Sequence, residues 1–128
     1  LNEKKLMGFT GADGVFLRKC YNYIIENIAN PSLSVEDLGK HIGISRVHLN
    51  RKLKNLLELS PNELIKSIRM RTSVRLLMHE KENIADIANK VGFSTHSYFS
   101  SSFKEHFGIS PKDFIIKYND PERIENYL

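Results

Sequence analysis

A segment of this chain occurs twice, and the repetition limits what the chain can fold into more than any other feature. Val35-Glu-Asp-Leu-Gly-Lys-His-Ile-Gly-Ile-Ser45 is matched by Ile84-Ala-Asp-Ile-Ala-Asn-Lys-Val-Gly-Phe-Ser94 at an offset of 49. One residue is then inserted and the offset becomes 50. Leu49 pairs with Phe99, Leu53 with Phe103, Leu57 with Phe107, Ser60-Pro61 with Ser110-Pro111, and Leu64 with Phe114. The matched positions are apolar residues at helical spacing, turn glycines and capping serines, so what repeats is a structural unit.

Each copy reads as a short helix, a tight turn and a longer helix, a helix-turn-helix. Ser34 is expected to cap the first short helix, with Asp37 closing a capping box, and Gly43 to end it in a left-handed conformation. Gly39 is small enough for a second helix to approach closely. Ser45 is expected to cap the longer helix, whose inner face is Leu49, Leu53, Leu56 and Leu57. In the second copy Asn83 is the expected cap, with Ala88, Gly92 and Ser94 in the places of Gly39, Gly43 and Ser45.

Between the copies, Ser60-Pro61-Asn62-Glu63 combines a cap, a proline at the first helical position and a glutamate at the third. It predicts a helix to about His79, roughly 27 Å long at 1.5 Å per residue. Upstream, Phe16, Leu17, Cys20, Tyr23, Ile24 and Ile28 predict a helix from an Asp13 cap to about Ala29. Ser110-Pro111 predicts a short helix to about Tyr118, and Asp120-Pro121 a last one. No segment alternates with period two for long enough to make a strand. The expected fold is all-α: two homeodomain-like helix-turn-helix subdomains joined by a long connecting helix. Residues 1–13 read as a linker from an upstream domain, 14–60 as the first subdomain and 61–79 as the connecting helix. Residues 80–119 read as the second subdomain, entered through a charged loop at Glu80 to Glu82, and 120–128 as a C-terminal tail. Leu1 in place of an initiating methionine reads as the start of a fragment.

With 128 residues, 27% of them charged, and no apolar run near the roughly 18 residues of a membrane span, the chain is expected in the cytoplasm. The single cysteine, Cys20, cannot pair within the chain and falls on the buried stripe of its helix. The net charge of +4 and pI near 9.2 are modest signals of nucleic-acid binding. The placement of charge says more: Arg46 to Lys54 holds four cations and no acid.

The helix over residues 45–57 presents Arg46, Val47, Asn50 and Arg51 outward. Arginine and asparagine can bond guanine and adenine edges bidentately in a major groove, and a capped helix N-terminus favours phosphate. The expected base-contacting residues are therefore Arg46, Val47, Asn50 and Arg51, with His96, Ser97, Ser100 and Ser101 from the helix over 95–107. The expected phosphate contacts are Ser45, His48, Lys54, Thr95, Tyr98 and Lys104. Tyr98 is divided between phosphate donor and lid on the core. Serines carry less discrimination than an arginine fork, so the first unit is expected to supply most of the base reading. Arg69, Arg71 and Arg75 are expected on the connecting helix, split between its surface and salt bridges to carboxylates, with one or two of them touching phosphate. Phe99, Phe103, Phe107 and Phe114 form an aromatic stripe read as core. His41, His79 and His106 lack the paired spacing of a metal site, so no metal and no cofactor is expected. No acid–base or nucleophilic constellation suggests an enzyme. The competing reading is a helical protein-interaction module with a basic face.

The pattern Ile84-Ala-x-x-Ala-x-x-Val-Gly-Phe-Ser-x-x-Ser-Tyr-Phe-Ser-x-x-Phe-Lys-x-x-Phe-Gly-Ile-Ser-Pro resembles the signature of AraC/XylS-type transcription regulators. The resemblance covers Ser34 to about Tyr118. It implies two helix-turn-helix subdomains contacting successive major grooves of double-stranded promoter or operator DNA, with RNA polymerase a possible further partner. The first half is most similar to the C-terminal output domain of hybrid two-component regulators, which implies upstream receiver and kinase domains and a phosphorelay. Nothing in the fragment resembles a small-molecule sensor domain. Glu58 departs from the family pattern, which often has glycine there as at Gly108, and implies a strained or longer turn.

Overall fold

The computed structural model describes residue 6 and residues 8–79 and 82–118. Seven helices follow one another among the described residues, with no strand: α1 Gly11–Glu26, α2 Val35–Ile42, α3 Arg46–Leu57, α4 Pro61–His79, α5 Ile84–Lys90, α6 His96–Phe107 and α7 Pro111–Lys117. The chain divides into two compact units. One comprises Leu1–Asn27 and Ser32–Ile68, the other Ile28–Pro31 and Arg69–Leu128. The boundary falls within α4, so this helix belongs partly to each unit. The Glu80-Lys81 part of the charged loop and the helix expected from Asp120-Pro121 lie outside the described residues.

The helix starts are set by side chains that replace missing intrahelical partners for the first backbone N–H groups. Ser34 Oγ accepts from the Asp37 amide at 3.1 Å while Asp37 Oδ2 accepts from the Ser34 amide at 3.2 Å, the expected capping box. Ser60 and Glu63 do the same for α4. Hydrogen bonding from Ser60, its backbone N–H first and its side chain second, holds the Glu63 carboxyl below its usual pKa. Asn83 caps α5 and Ser110 caps α7, followed by Pro111 at the first helical position.

In the first unit α1 packs on α2 and α2 on α3. Phe16, Leu17, Cys20, Ile24, Leu38, Leu49, Leu53, Leu57, Leu64 and Ile68 are buried there. In the second unit Met70, Val74, Leu77, Ile87, Ala88, Val91, Phe93, Phe99, Phe103 and Phe114 form one core cluster. Within it Phe93, Phe99, Phe103 and Phe114 meet edge-on or tilted at 5.4 to 5.8 Å. Phe99, Phe103 and Phe114 of the aromatic stripe are core, and Phe107 packs against them half-buried.

Several boundaries differ from expectation. Helix α1 begins at Gly11 after Thr10, not at Asp13, so part of the expected linker is helical. Gly14 is buried inside the helix, where an added Cβ would lie 2.6 Å from the Phe9 carbonyl oxygen. The helix ends at Glu26 rather than Ala29, because Asn27 folds its amide back onto the Tyr23 carbonyl at 2.9 Å. The cap of α6 is Thr95, one residue beyond Ser94, as the inserted residue shifts the register. The turn at Glu58 is no longer than its counterpart. Helices α3 and α6 both have 12 residues, and Glu58 adopts the left-handed conformation (φ 60°) that Gly108 adopts (φ 79°).

Arg69 of α4 also differs from expectation. Arg71 is buried, and Arg69 is half-buried with its guanidinium bonded to the backbone carbonyls of Gly92 and Asn30, not to a carboxylate. Burial lowers the pKa of Arg69.

Candidate nucleic-acid interface

The presentation of α3 follows from its alternation. Leu49, Leu53 and Leu57 are buried, while Arg46, Val47, His48, Asn50, Arg51 and Lys54 are exposed. Ser45 Oγ accepts from the His48 amide at 3.1 Å and fixes the start of the helix. Val47, Asn50, Arg51 and Lys54 line an open groove of about 500 Å³ together with Asn55 and Ser60. The first four are expected contact residues that the fold brings together. Asn55 was not anticipated, although it stands four residues after Arg51 and therefore on the same helical stripe.

The four cations of this segment have separate environments. Lys52 turns away from the groove and sets its ammonium over the Phe16 ring, 4.5 Å from the centroid. Arg46 Nη1 donates to Glu36 Oε1 at 2.8 Å. Arg51 and Lys54 line the groove.

The second unit offers a chemically quieter face on α6. Thr95 Oγ1 accepts from the Tyr98 amide at 3.1 Å, and Thr95, His96, Ser97, Ser101 and Lys104 are exposed. Ser100 is half-buried, and Ser101 Oγ donates to the Tyr98 carbonyl at 3.2 Å. Tyr98 is 60% exposed while its ring meets Phe93 edge-on at 5.2 Å, so it reaches solvent from a foothold on the core.

Among the described residues, no group of three or more histidines, cysteines, aspartates and glutamates could hold a metal ion. His41 stacks on Tyr23 at 4.3 Å. None of the helices described is long and apolar enough to cross a membrane.

The profile of a helix-turn-helix domain family matches residues 38–115, from within the first copy of the repeat through the connecting helix and the second copy. The C-terminal domain of AraT, a response regulator from Geobacillus stearothermophilus, superposes with a TM-score of 0.75 at 29% identity, covering 87% of this chain and 96% of that one. A Chromobacterium violaceum transcriptional regulator with an AraC-type DNA-binding domain gives the same TM-score at 28% identity, covering 84% and 95%. The chain belongs to the AraC-type helix-turn-helix family. This is a family of DNA-binding transcription regulators and not of enzymes. Histidine kinase P4 of Formosa agariphila is 32% identical over 108 residues, which is 84% of this chain but only 8% of that protein.

Proposed function

We propose that this AraC-type domain reads promoter DNA through two unequal recognition helices, α3 and α6, set in successive major grooves. The groove on α3 carries this reading: a capped helix places Asn50, Arg51, Lys54 and the apolar Val47 side by side on one open face. Arg46, Asn50 and Arg51 offer donors to base edges, Val47 a surface for a thymine methyl, and Ser45, His48 and Lys54 contacts to phosphate. On α6, His96, Ser97, Ser100 and Ser101 make the base contacts, and Thr95, Tyr98 and Lys104 hold phosphate. One 19-residue helix, roughly 28 Å long, runs from one unit into the other. Residues 14–60, 61–79 and 80–119 act as first reader, connector and second reader.

The similarity to a response-regulator C-terminal domain and to a short part of a histidine kinase supports placing this domain at the output end of a phosphorelay. Receiver and kinase domains would then precede it in a longer cytoplasmic chain, with RNA polymerase as the downstream partner. Selection from a random duplex pool tests the core of the proposal. An enriched sequence bound more than tenfold tighter than bulk DNA is expected. Binding that follows only charge, with acidic peptides competing as well as the selected duplex, would favour a protein-interaction module instead.

A further inference from the structure

Arg46 is the first residue of α3, and the carboxylate it meets belongs to another helix. Glu36 lies in the first turn of α2, and the 2.8 Å contact joins the starts of the two helices of the first helix-turn-helix. Both side chains stay on the surface, at 61% and 57% exposure. The pair can therefore meet DNA as a unit.

An unrestrained arginine at this place would bond whichever phosphate lay nearest, since phosphate contacts carry little sequence information. A guanidinium with one nitrogen tethered to a carboxylate is restrained in where it can reach, and its remaining N–H groups can face the O6 and N7 acceptors of guanine. The carboxylate also repels the phosphate backbone whatever the sequence. Both effects lower general affinity more than affinity for the right site. The second unit has no such pair, because Ala85 and His96 occupy the corresponding positions.

We propose that Glu36 is a positioning residue for Arg46, directing its guanidinium to a guanine and giving up general DNA affinity for discrimination. The proposal rests on the DNA-reading function argued above. The test uses the full 128-residue chain, a duplex enriched by selection and a scrambled duplex of the same composition. Binding is measured for the parent, Glu36→Gln, Arg46→Ala and the double variant, with unfolding midpoints as a control.

An exposed ion pair is worth a factor of up to about five. Glu36→Gln should therefore bind the scrambled duplex about two- to fivefold more tightly without tightening on the selected one, with the unfolding midpoint lowered only slightly by loss of the same surface pair. Arg46→Ala should weaken binding to the selected duplex more in the parent than in the Glu36→Gln background. A selected-to-scrambled ratio unchanged by Glu36→Gln would overturn the proposal, as would equal effects of Arg46→Ala in both backgrounds. Failure of any duplex to enrich would instead overturn the DNA reading itself.

Discussion

Arg69 holds Gly92 from the side, donating from Nη1 to its carbonyl at 3.1 Å while Nη2 donates to the Asn30 carbonyl at 2.8 Å. One guanidinium thus ties the turn of the second helix-turn-helix to the 28–31 segment of the same unit. Gly92 is left-handed (φ 86°), and a Cβ there would lie 2.3 Å from the Ile28 carbonyl oxygen and 2.8 Å from Arg69 Cζ. Its repeat partner Gly43 has nearly the same conformation (φ 88°) with nothing within 4 Å of the added atom.

The two glycines should therefore respond differently to alanine. Gly43→Ala meets only backbone strain, about 1–2 kcal/mol. Gly92→Ala adds a collision with backbone, so about 2–5 kcal/mol is expected in total. Urea unfolding of both variants measures the difference. Equal losses would mean that the 28–31 segment yields easily.

Glu58 makes the opposite case. It carries a side chain where its counterpart Gly108 has none, and both residues donate to a carbonyl four residues back, at 2.9 Å and 2.7 Å. Glycine relieves the left-handed strain but enlarges the unfolded ensemble, and these terms partly cancel. Glu58→Gly should raise stability by about 0.5–1 kcal/mol, read as a higher unfolding midpoint. A lower midpoint would show that the Glu58 side chain contributes something the backbone argument omits.

Most of the architecture was legible because the signals were local and doubled. Caps, turn glycines and apolar spacing each appear twice, and a feature seen in both copies constrains both. The exceptions depend on contacts between segments far apart in sequence. That Gly14 packs against Phe9 inside a helix, and that Arg69 serves carbonyls 23 and 39 residues away, cannot be read from spacing. The face of α3 was legible by helical period. The capture of Arg46 by Glu36 was not, because it depends on how α2 crosses α3.

Cys20 gives a prediction in pH. It is fully buried, and burial pushes its thiol from 9.0 up to about 12, with Lys52 opposing only in part. A raised pKa means that the folded state retains its proton where the unfolded state has lost it. The contribution to stability is complete below about pH 9 and declines as pH rises from 9 towards 12. At pH 8 the folded protein should resist alkylation by iodoacetamide and react only on unfolding. A native-state reaction rate near that of an unfolded peptide would contradict the burial. Cys20→Ser should remove this segment of the pH dependence and cost stability at every pH, since it buries a hydroxyl in an apolar site.

The chemical asymmetry between α3 and α6 gives the sharpest functional expectation. Arg51 lines the groove of α3, and its partner in the repeat, Ser101, spends its hydroxyl proton on the Tyr98 carbonyl. Arg51→Ala should cost about 1–3 kcal/mol on a selected duplex and much less on random DNA. Ser101→Ala removes no charge and a donor already engaged within its own helix, leaving Ser101 only an accepting oxygen for a base, so less than about 0.5 kcal/mol is expected on either duplex. Lys54→Ala and Lys104→Ala, both proposed to hold phosphate, should weaken binding to all sequences alike and reduce the salt slope by about 1 each. Titration of the four variants against both duplexes at several salt concentrations separates the roles. A loss at Ser101 as large as at Arg51 would put the sequence preference equally in both units and refute the unequal division. A loss at Arg51 independent of sequence would reassign it to phosphate.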